Sequence, residues 1–204
     1  MKIRMLLAAT ALAAPPFVFL ACHSDAQTPS FTLSSPDLTG GTFTTKFILN
    51  GFGCTGQNVS PQLVWSGVPV GTKSLQLQVH DPDAPTGAGF WHWAVYDIPP
   101  TTTGLAQGAG NSPSTLPPGA YGGNTDFMDT GATGVNGNYG GPCPPAGDPP
   151  HRYNFTLYAL SVEHVAEAGG IPKTGTASLF SFVMNKGVGP ALLGKATFTA
   201  TYGR

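Results

Sequence analysis

The chain has 204 residues and a mass of 21.0 kDa, which fits one domain with a sizeable hydrophobic core. Only 9% of the residues are charged and the formal net charge is −1, so the basic surface that nucleic acid requires is absent and we expect no nucleic-acid partner. The 28 glycines and 20 prolines alternate with runs rich in Val, Phe, Tyr, Thr and Leu, which is typical of a β-rich fold with long ordered loops.

Residues 1–26 have the pattern of an export signal. Lys2 and Arg4 form a short positive region, and an apolar stretch follows over residues 5–21. Two prolines interrupt this stretch, which is also too short for a typical transmembrane helix. We predict that residues 27–204 form one exported domain, in the periplasm or at the envelope of a bacterium.

Two processing sites remain open within this export signal. The sequence Phe-Leu-Ala-Cys at 19–22 is similar to a bacterial lipobox, which would make Cys22 the lipidated residue and anchor the protein to the membrane. The sequence Ser-Asp-Ala at 24–26 would instead serve an ordinary signal peptidase, because small residues occupy both recognition positions. In that case the mature chain begins at Gln27.

The odd number of cysteines, three, also bears on export. If Cys22 carries lipid, Cys54 and Cys143 remain as a pair in two glycine-rich loops, and an oxidising compartment would let them form a disulfide. Such a bridge would close a loop of about ninety residues and contribute several kcal/mol in the loop-entropy model. The alternative is two unpaired thiols.

Strands are predicted along much of the chain after residue 30. Short or alternating β-type runs occur at residues 30–33, 43–49, 63–65, 74–80, 91–98, 152–160 and 195–202. Helix is predicted only late in the chain, over residues 177–186 and 190–193. This order of elements favours a mainly β domain.

The stretch 104–138 shows little periodicity and is rich in Gly, Asn, Asp, Thr and Pro. A segment of this length without regular structure is either disordered or a functional loop. The aromatic residues Tyr121, Phe127 and Tyr139 lie in or next to this stretch, which indicates that parts of it pack against the domain.

Two turns stiffened by proline and glycine carry most of the candidate chemistry. Residues 80–85 read His-Asp-Pro-Asp-Ala-Pro and lead to Trp-His-Trp at 91–93. Residues 141–145 read Gly-Pro-Cys-Pro-Pro and lead to His-Arg-Tyr at 151–153. Each turn is followed by a strand that carries an imidazole. If the fold brings the two turns together, they form a small cleft for a polar or anionic group.

Strand alternation predicts which of these side chains share a face. His151 and Tyr153 lie two residues apart and point the same way, whereas Arg152 points to the opposite face. Arg152 is therefore expected to form a structural ion pair. Its candidate acids are Asp81, Asp83, Asp97 and Glu163. By the same rule, His92 points away from both flanking tryptophans.

Four motifs occur in order along the chain. They are Asn-x-Ser-Pro-x-Leu-x-Trp-Ser-Gly-Val-Pro at 58–69, Asp-Pro-Asp-Ala-Pro at 81–85, His-Trp at 92–93, and Gly-Pro-Cys-Pro-Pro to His-Arg-Tyr at 141–153. In this order and spacing the chain resembles the phosphatidylethanolamine-binding protein family, in particular its bacterial Raf kinase inhibitor-like branch. The resemblance begins at about residue 31 and implies a central antiparallel β-sheet packed against a second small sheet, with few short helices.

The resemblance also implies a surface pocket for a phosphate or similar anion, such as a phospholipid headgroup. Carried over position by position, its ligand-binding residues are Asp81, Asp83, Pro85, His92, Gly141, Pro142, His151 and Tyr153. Protonated imidazoles and the tyrosine hydroxyl would donate to anion oxygens, and a carboxylate behind a histidine would raise the pKa of its imidazole. A bare carboxylate would repel a phosphate, so Asp81 is expected to receive a proton donor.

The clustered histidines also raise the question of a metal. Suitable ligand types occur at His80, Asp81, His92 and His151. Because none of them forms a tight His-x-x-x-His or Cys-x-x-Cys spacing, we predict no metal and no cofactor.

Three functions fit these observations. The leading one is an exported small-ligand-binding protein with an anion pocket and a regulatory role toward a protein partner that the sequence does not identify. The second is a hydrolase or lyase that uses His151 or His92 as general acid or base. No serine has the setting of a nucleophile elbow, so we assign no catalytic residue. The third is an envelope interaction protein that makes its contacts through residues 104–138 and retains a vestigial pocket.

Overall fold

The computed structural model describes residues 30–128 and 130–204. The predicted export signal at 1–26, with the lipidation site Cys22 and the alternative mature start at Gln27, lies outside these residues. Within the described ranges, no helix combines the length and the apolar character that a membrane crossing needs.

Ten strands and two short α-helices are present in the described part of the chain. They are β1 (Thr32–Ser34), β2 (Asn50–Gly51), β3 (Cys54–Thr55), β4 (Leu63–Ser66), β5 (Ser74–Asp81), β6 (Phe90–Ile98), β7 (Gly104–Leu105), β8 (Tyr121–Gly122), β9 (His151–Leu160), α1 (Val165–Gly169), α2 (Ala177–Phe182) and β10 (Leu192–Tyr202). The mainly β fold that the sequence predicts is confirmed.

The strands form a central sheet and a second, smaller sheet. The central sheet has the antiparallel order β10-β9-β5-β6-β8, and the smaller sheet has the antiparallel order β1-β4-β7. The short strands β2 and β3 form a separate hairpin. Because β5 lies between β6 and β9, the ends of these three strands meet at one edge of the central sheet.

Both faces of the central sheet are covered. One face contributes Leu75, Leu77 and Val79 to a core that also contains Leu63 and Trp65 of the smaller sheet. The opposite face contributes its buried side chains to a second core with α1 and α2. This double covering explains why β5 is buried along almost its entire length, although its sequence alternates between apolar and polar residues.

The buried polar residues of β5 attach the helical layer to the sheet. The Gln78 side-chain amide donates to the Tyr96 hydroxyl at 2.9 Å and to the Ala177 carbonyl at 2.7 Å. The side-chain oxygen Oε1 of Gln76 accepts from the backbone N–H of Asp97 at 2.7 Å. Buried amides are tolerated here because they have partners.

The sequence predicts a strand over residues 43–49, and this prediction is wrong. The segment forms a turn in which the N–H of Phe47 donates to the carbonyl of Thr44 at 3.0 Å. At the end of the segment, the N–H of Leu49 donates to the carbonyl of Pro142 at 3.1 Å. This hydrogen bond reaches a distant loop instead of a neighbouring strand. The apolar residues of this irregular loop are buried and pack in the hydrophobic core.

The helical predictions are only partly correct. The helix predicted at 177–186 begins as expected, but α2 ends at Phe182 and a π-helical turn follows over Val183–Gly187. The helix predicted at 190–193 is a 3₁₀ turn at Gly189–Ala191. The sequence does not predict α1, because five residues are too few to display a helical period.

The described part of the stretch 104–138 is an ordered loop. It contains β7, β8 and two 3₁₀ turns, and the Phe127 side chain is 2% exposed. The neighbouring Tyr139 is also buried, and its hydroxyl donates to the carbonyl of Phe47 at 2.8 Å. The aromatic residues therefore pack, as the sequence indicates.

A disulfide joins Cys54 and Cys143, whose Cα atoms lie 6.0 Å apart. The bridge is therefore present, and the alternative of two unpaired thiols is wrong. The guanidinium of Arg204 reinforces the same connection, because it donates to the carbonyls of Pro144 at 2.7 Å and Gly53 at 2.9 Å. The disulfide and the bridging guanidinium thus hold these two loops together.

Replacement of both bridged cysteines by serine should lower the free energy of unfolding. Cys54 and Cys143 are separated by 89 positions, for which the loop-entropy model gives about 4.6 kcal/mol. Urea unfolding of the parent and of the Cys54→Ser, Cys143→Ser double variant measures the difference. The parent under reducing conditions is the matched control and should lose a similar amount; equal stability of all three samples would exclude a stabilising bridge.

Candidate functional site

The two proline-rich turns meet at the edge of the central sheet where β5 ends and β9 begins. Together with loops from other parts of the chain they enclose a cavity of about 140 Å³. Liquid water occupies about 30 Å³ per molecule, so the cavity holds roughly five waters or a group of similar size. The polar side chains in its wall are Asp81, Thr86, His92, His151 and Tyr153.

The buried carboxylate of Asp81 connects the two turns. Its Oδ2 atom accepts from Nδ1 of His151 at 2.7 Å. Its Oδ1 atom accepts from the backbone N–H groups of Asp83 at 2.9 Å and Ala84 at 3.1 Å. Three donors therefore stabilise one buried negative charge, as a carboxylate removed from water requires.

The imidazole of His151 lies between two carboxylates. Nδ1 faces Asp81, and Nε2 lies 3.4 Å from Oδ2 of Asp148, whose side chain is partly exposed. Because an ionised carboxylate can only accept, Nδ1 of His151 carries a proton toward Asp81. The carboxylate thereby fixes the orientation of this ring.

A β-bulge directs His92 into the cavity. The pairing between β5 and β6 shifts between the Val79–Trp93 and His80–Trp91 pairs, so His92 is an extra residue on β6. Such a bulge breaks the alternation of side chains along a strand. The prediction that His92 points away from both tryptophans is therefore wrong. Trp93 packs in the core shared with the smaller sheet, whereas Trp91 packs against the second core, which contains α1 and α2.

The imidazole of His92 is neutral. Its Nδ1 atom lies 2.9 Å from the carbonyl of Gly140, and because a carbonyl oxygen only accepts, Nδ1 carries the proton. Burial lowers the pKa of His92 to about 4 and outweighs the opposing effect of Asp81, which is 4.0 Å from Nε2. Asp81 does act to raise the pKa of this imidazole, as a nearby carboxylate should, but desolvation dominates.

The hydroxyl of Tyr153 is an unused donor in the cavity wall. It is buried, and it has no hydrogen-bond partner among the described residues. Burial, assisted by the negative charge of Asp81, raises the pKa of Tyr153 above its ordinary value, so the hydroxyl keeps its proton. His151 and Tyr153 line the same cavity while Arg152 is exposed, as strand alternation predicts.

The structure selects Asp83 as the acid that pairs with Arg152. Oδ2 of Asp83 accepts from the backbone N–H and from Nε of Arg152 at 2.8 and 2.9 Å, and Oδ1 accepts from Nη2 at 2.6 Å. These hydrogen bonds lower the pKa of Asp83 to about 2. Asp83 therefore holds the turn against β9 and is not part of the cavity wall.

Gly141 and Pro142, which the resemblance implies as ligand-binding residues, also lie behind the cavity wall. The Gly141 N–H donates to Oδ1 of Asn58 at 2.7 Å, and the Pro142 carbonyl accepts from Leu49. A Cβ at Gly141 would lie 2.3 Å from the Phe47 carbonyl oxygen, so only glycine fits. Direct ligand contacts from these residues and from Asp83 remain predictions, whereas Pro85 does line the cavity.

The apolar wall, apart from Pro85, has two origins. Ala84, Cys143, Pro144 and Pro145 belong to the two turns that were expected to form a cleft, whereas Leu49, Phe52, Phe90 and Phe127 were not predicted from the sequence. The phenyl ring of Phe127 lies 5.4 Å from the imidazole of His92 and 4.7 Å from the ring of Phe90, measured between centroids. The four unpredicted residues come from separate parts of the chain, and the aromatic character of Phe127 was the one available signal for them.

No group of three or more His, Cys, Asp or Glu side chains in the described ranges has the arrangement of a metal site. His80, which the sequence offers as a candidate ligand, instead packs against Trp91 with ring centroids 4.1 Å apart. Its Nε2 atom lies 3.1 Å from the carbonyl of Ala88. His80 therefore supports the turn that leads to β6.

Known proteins share both the sequence and the architecture. The family model described as phosphatidylethanolamine-binding protein matches residues 34–203. The chain belongs to the phosphatidylethanolamine-binding protein family. The resemblance based on the four motifs is therefore confirmed, together with the fold that it implies.

Several family members have known sequences or structures. The chain is 44% identical over 162 residues to the UPF0098 protein YbcL of Escherichia coli, which covers 78% of this chain and 82% of YbcL. The crystal structure of YbcL aligns with a TM-score of 0.74 and covers 85% of this chain and 98% of that one. LppC of Mycobacterium tuberculosis, whose name proposes a lipoprotein, is 40% identical over 72% of this chain and 67% of its own.

In this member of the phosphatidylethanolamine-binding protein family, His92 should make folding sensitive to acid. The pKa of His92 in the folded state is about 4, below the ordinary 6.5. The contribution of His92 to the free energy of unfolding is therefore complete above about pH 6.5 and is lost as the pH falls toward 4. The loss amounts to about 3 kcal/mol. Chemical unfolding between about pH 7 and pH 4 measures it.

The variant His92→Asn keeps a donor near the Gly140 carbonyl but has no titrating ring. Between about pH 7 and pH 4, we expect the free energy of unfolding of this variant to decrease by about 3 kcal/mol less than that of the parent. His80→Asn is the matched control and should retain the parental fall. Identical pH dependence in the parent and His92→Asn would contradict a neutral, buried His92.

Proposed function

We propose that this chain is an exported small-ligand-binding protein whose cavity accepts a phosphate or a similar anion. The observation that carries the proposal is the unpaired, buried hydroxyl of Tyr153 beside the neutral imidazole of His92, with ring centroids 5.0 Å apart. A buried donor without a partner costs free energy, and an anion oxygen in the cavity would supply the missing acceptor.

The charge of Asp81 does not prevent such an anion from binding. Three donors already bind its two oxygens, and one of them is the imidazole of His151. The anion would receive the hydroxyl proton of Tyr153 and, after His92 takes up a proton, a second hydrogen bond from Nε2 of His92. Apolar walls strengthen both bonds because they exclude water.

Export and envelope attachment belong to the same proposal. The disulfide between Cys54 and Cys143 is stable in an oxidising compartment, which is consistent with export. The lipoprotein name of the mycobacterial relative LppC favours attachment to the envelope. Lipidation at Cys22 would provide that anchor, and the mass of the mature N-terminal peptide distinguishes it from cleavage before Gln27.

A hydrolase or lyase is the second candidate, and the short contact between Asp81 and His151 favours it. A histidine oriented by a carboxylate can act as a general acid or base. Neither His92 nor His151 forms a hydrogen bond with a hydroxyl or thiol of the described residues, so an enzyme of this kind would have to activate water. Binding without turnover is therefore the leading proposal.

Calorimetric titration with inorganic phosphate tests the proposed function. The parent should bind phosphate, and Tyr153→Phe should bind about tenfold more weakly, because one charge-assisted hydrogen bond is lost. Tyr121→Phe is the matched control: its hydroxyl is also buried and unpaired among the described residues, but it lies outside the cavity. This variant should bind phosphate as the parent does.

Two outcomes would contradict the proposal. If the parent binds neither inorganic phosphate nor a simple phosphate ester, the cavity is not a phosphate site. If the parent hydrolyses phosphate or carboxylate esters and His151→Ala abolishes the turnover, the second candidate replaces the first.

A further inference from the structure

We propose that Phe52 determines which phosphate esters the cavity accepts, and that it favours esters of a compact apolar ring over esters with polar substituents. The proposal rests on the proposed function, because a substituent is selected here only when the phosphate of the same ligand occupies the cavity. It adds a specificity-determining residue and the chemical class of the substituent.

The backbone of Phe52 has a conformation that bulky residues rarely adopt. Its φ angle is 51°, in the left-handed region that favours glycine. Two other non-glycine residues in the described ranges, Asn58 and Asp97, have a positive φ, and both are of the types that tolerate it. Phe52 is therefore the exception among the described residues, and its conformation costs free energy that asparagine or glycine would not.

The turn that contains Phe52 does not itself require a phenyl ring. Phe52 and Gly53 connect the short strands β2 and β3, whose adjoining residues Gly51 and Cys54 pair with each other. A two-residue hairpin loop with a positive φ at both central positions favours the sequence Asn-Gly. Because that sequence closes such a hairpin with less strain, the reason for the ring of Phe52 lies outside the turn.

The ring of Phe52 lies at the mouth of the cavity. Phe52 is among the residues that line the cavity, yet it is 55% exposed, whereas Tyr153 and His92 are buried. The ring stacks on that of Phe127, with 14° between the ring planes and 6.0 Å between the centroids. Phe127 in turn packs edge to face against His92, so the aromatic wall leads from the proposed phosphate position to the exposed ring of Phe52.

The hairpin that carries Phe52 is fixed by contacts with other parts of the chain. Cys54 is bonded covalently to Cys143, and the guanidinium of Arg204 donates to the carbonyls of Phe52 at 3.3 Å and Gly53 at 2.9 Å. These contacts maintain the strained backbone. A ring that is held in place before a ligand arrives loses little freedom on binding, which favours affinity.

An apolar ring suits this mouth better than a polar group does. The cavity holds about as many waters as a phosphate has non-hydrogen atoms, so the substituent of an ester extends to the mouth. The wall beside Phe52 consists of Phe127, Cys143 and Pro144, whose side chains have no charged, hydroxyl or amide group. Polar groups placed there would lose hydrogen bonds to water without replacement.

Charge and shape narrow the choice further. The guanidinium of Arg204 lies beside the Phe52 carbonyl and disfavours a cationic substituent such as an ammonium group. A flexible alkyl chain would lose more conformational freedom at the mouth than a ring of similar size. A compact apolar ring avoids both costs and buries its surface against the part of Phe52 that Phe127 leaves exposed.

Calorimetric titration with methyl phosphate, cyclohexyl phosphate and inositol monophosphate tests this selection. Methyl phosphate reports the cavity alone, and inositol monophosphate has the ring of cyclohexyl phosphate with hydroxyls on its other carbons. We expect cyclohexyl phosphate to bind the parent about tenfold more tightly than either of the others, since about 55 Å² of apolar surface buried at the mouth gives a factor of ten.

Substitution of Phe52 should remove this preference. We expect the ratio of the cyclohexyl and methyl phosphate affinities to fall from about ten in the parent to about two in Phe52→Asn, because asparagine suits the turn but has no ring. Phe52→Tyr keeps the ring and should keep the ratio. Phe182→Asn is the matched control, since Phe182 is similarly exposed but does not line the cavity, and this variant should keep the parental ratio.

The outcomes separate the two proposals. If Phe52→Asn keeps the parental ratio, even with both affinities lowered, Phe52 acts only on the structure and the proposal is overturned. It is also overturned, while the phosphate cavity stands, if inositol monophosphate or 2-aminoethyl phosphate binds the parent as tightly as cyclohexyl phosphate does. If none of these esters binds, the proposed function fails and the selection by Phe52 fails with it.

Discussion

The contact of 2.7 Å between Asp81 and His151 is the constraint on which the rest of the site depends. It ties the end of β5 to the start of β9 and fixes a carboxylate that is almost entirely buried. Such a charge is tolerated only with several donors, and the turn after β5 supplies two of them from its backbone. The proline-stiffened turn, the cavity wall and the ion pair of Asp83 with Arg152 follow from this requirement.

The same arrangement explains why the cavity wall contains an uncharged imidazole. The negative charge of Asp81 is already compensated by nearer donors, so at 4.0 Å it does not keep His92 protonated against the cost of burial. An anion that enters the cavity changes this balance. To bring the pKa of His92 from about 4 to above 6, it must contribute about 3 kcal/mol, which is the size of one strong charge-assisted hydrogen bond in a buried site.

The sequence correctly predicted those parts of the fold and site that depend on residues close together in the chain. The long strands β5, β6, β9 and β10 follow from their alternating patterns, and the shared face of His151 and Tyr153 follows from their spacing. The orientation of His92 could not be predicted in this way, because the bulge depends on how β6 pairs with β5. The strand predicted over residues 43–49 failed for a similar reason: apart from one bond from Phe43 to β10, the backbone of this segment bonds within its own turn and to other loops.

The other half of the apolar wall lay beyond prediction, because Leu49, Phe52, Phe90 and Phe127 join the two predicted turns only in the fold. Phe52 and Pro144 belong to two loops that the disulfide and the guanidinium of Arg204 hold together. Phe127 comes from a third loop with no periodic pattern. The motifs that identify the family therefore mark the polar side chains and the proline-rich part of the wall, whereas the other residues that close the site leave little local signal in the sequence.

The protonation state of His92 tests the central claim most directly, namely that an anion enters beside a neutral imidazole and is held by its protonation. Nitrogen NMR of the histidine side chains at about pH 6, with and without saturating inorganic phosphate, measures it. The account predicts that His92 is neutral with its proton on Nδ1 in the free protein and becomes doubly protonated when phosphate binds. An imidazole of His92 that is already charged without phosphate, or that stays neutral when phosphate is bound, would contradict it.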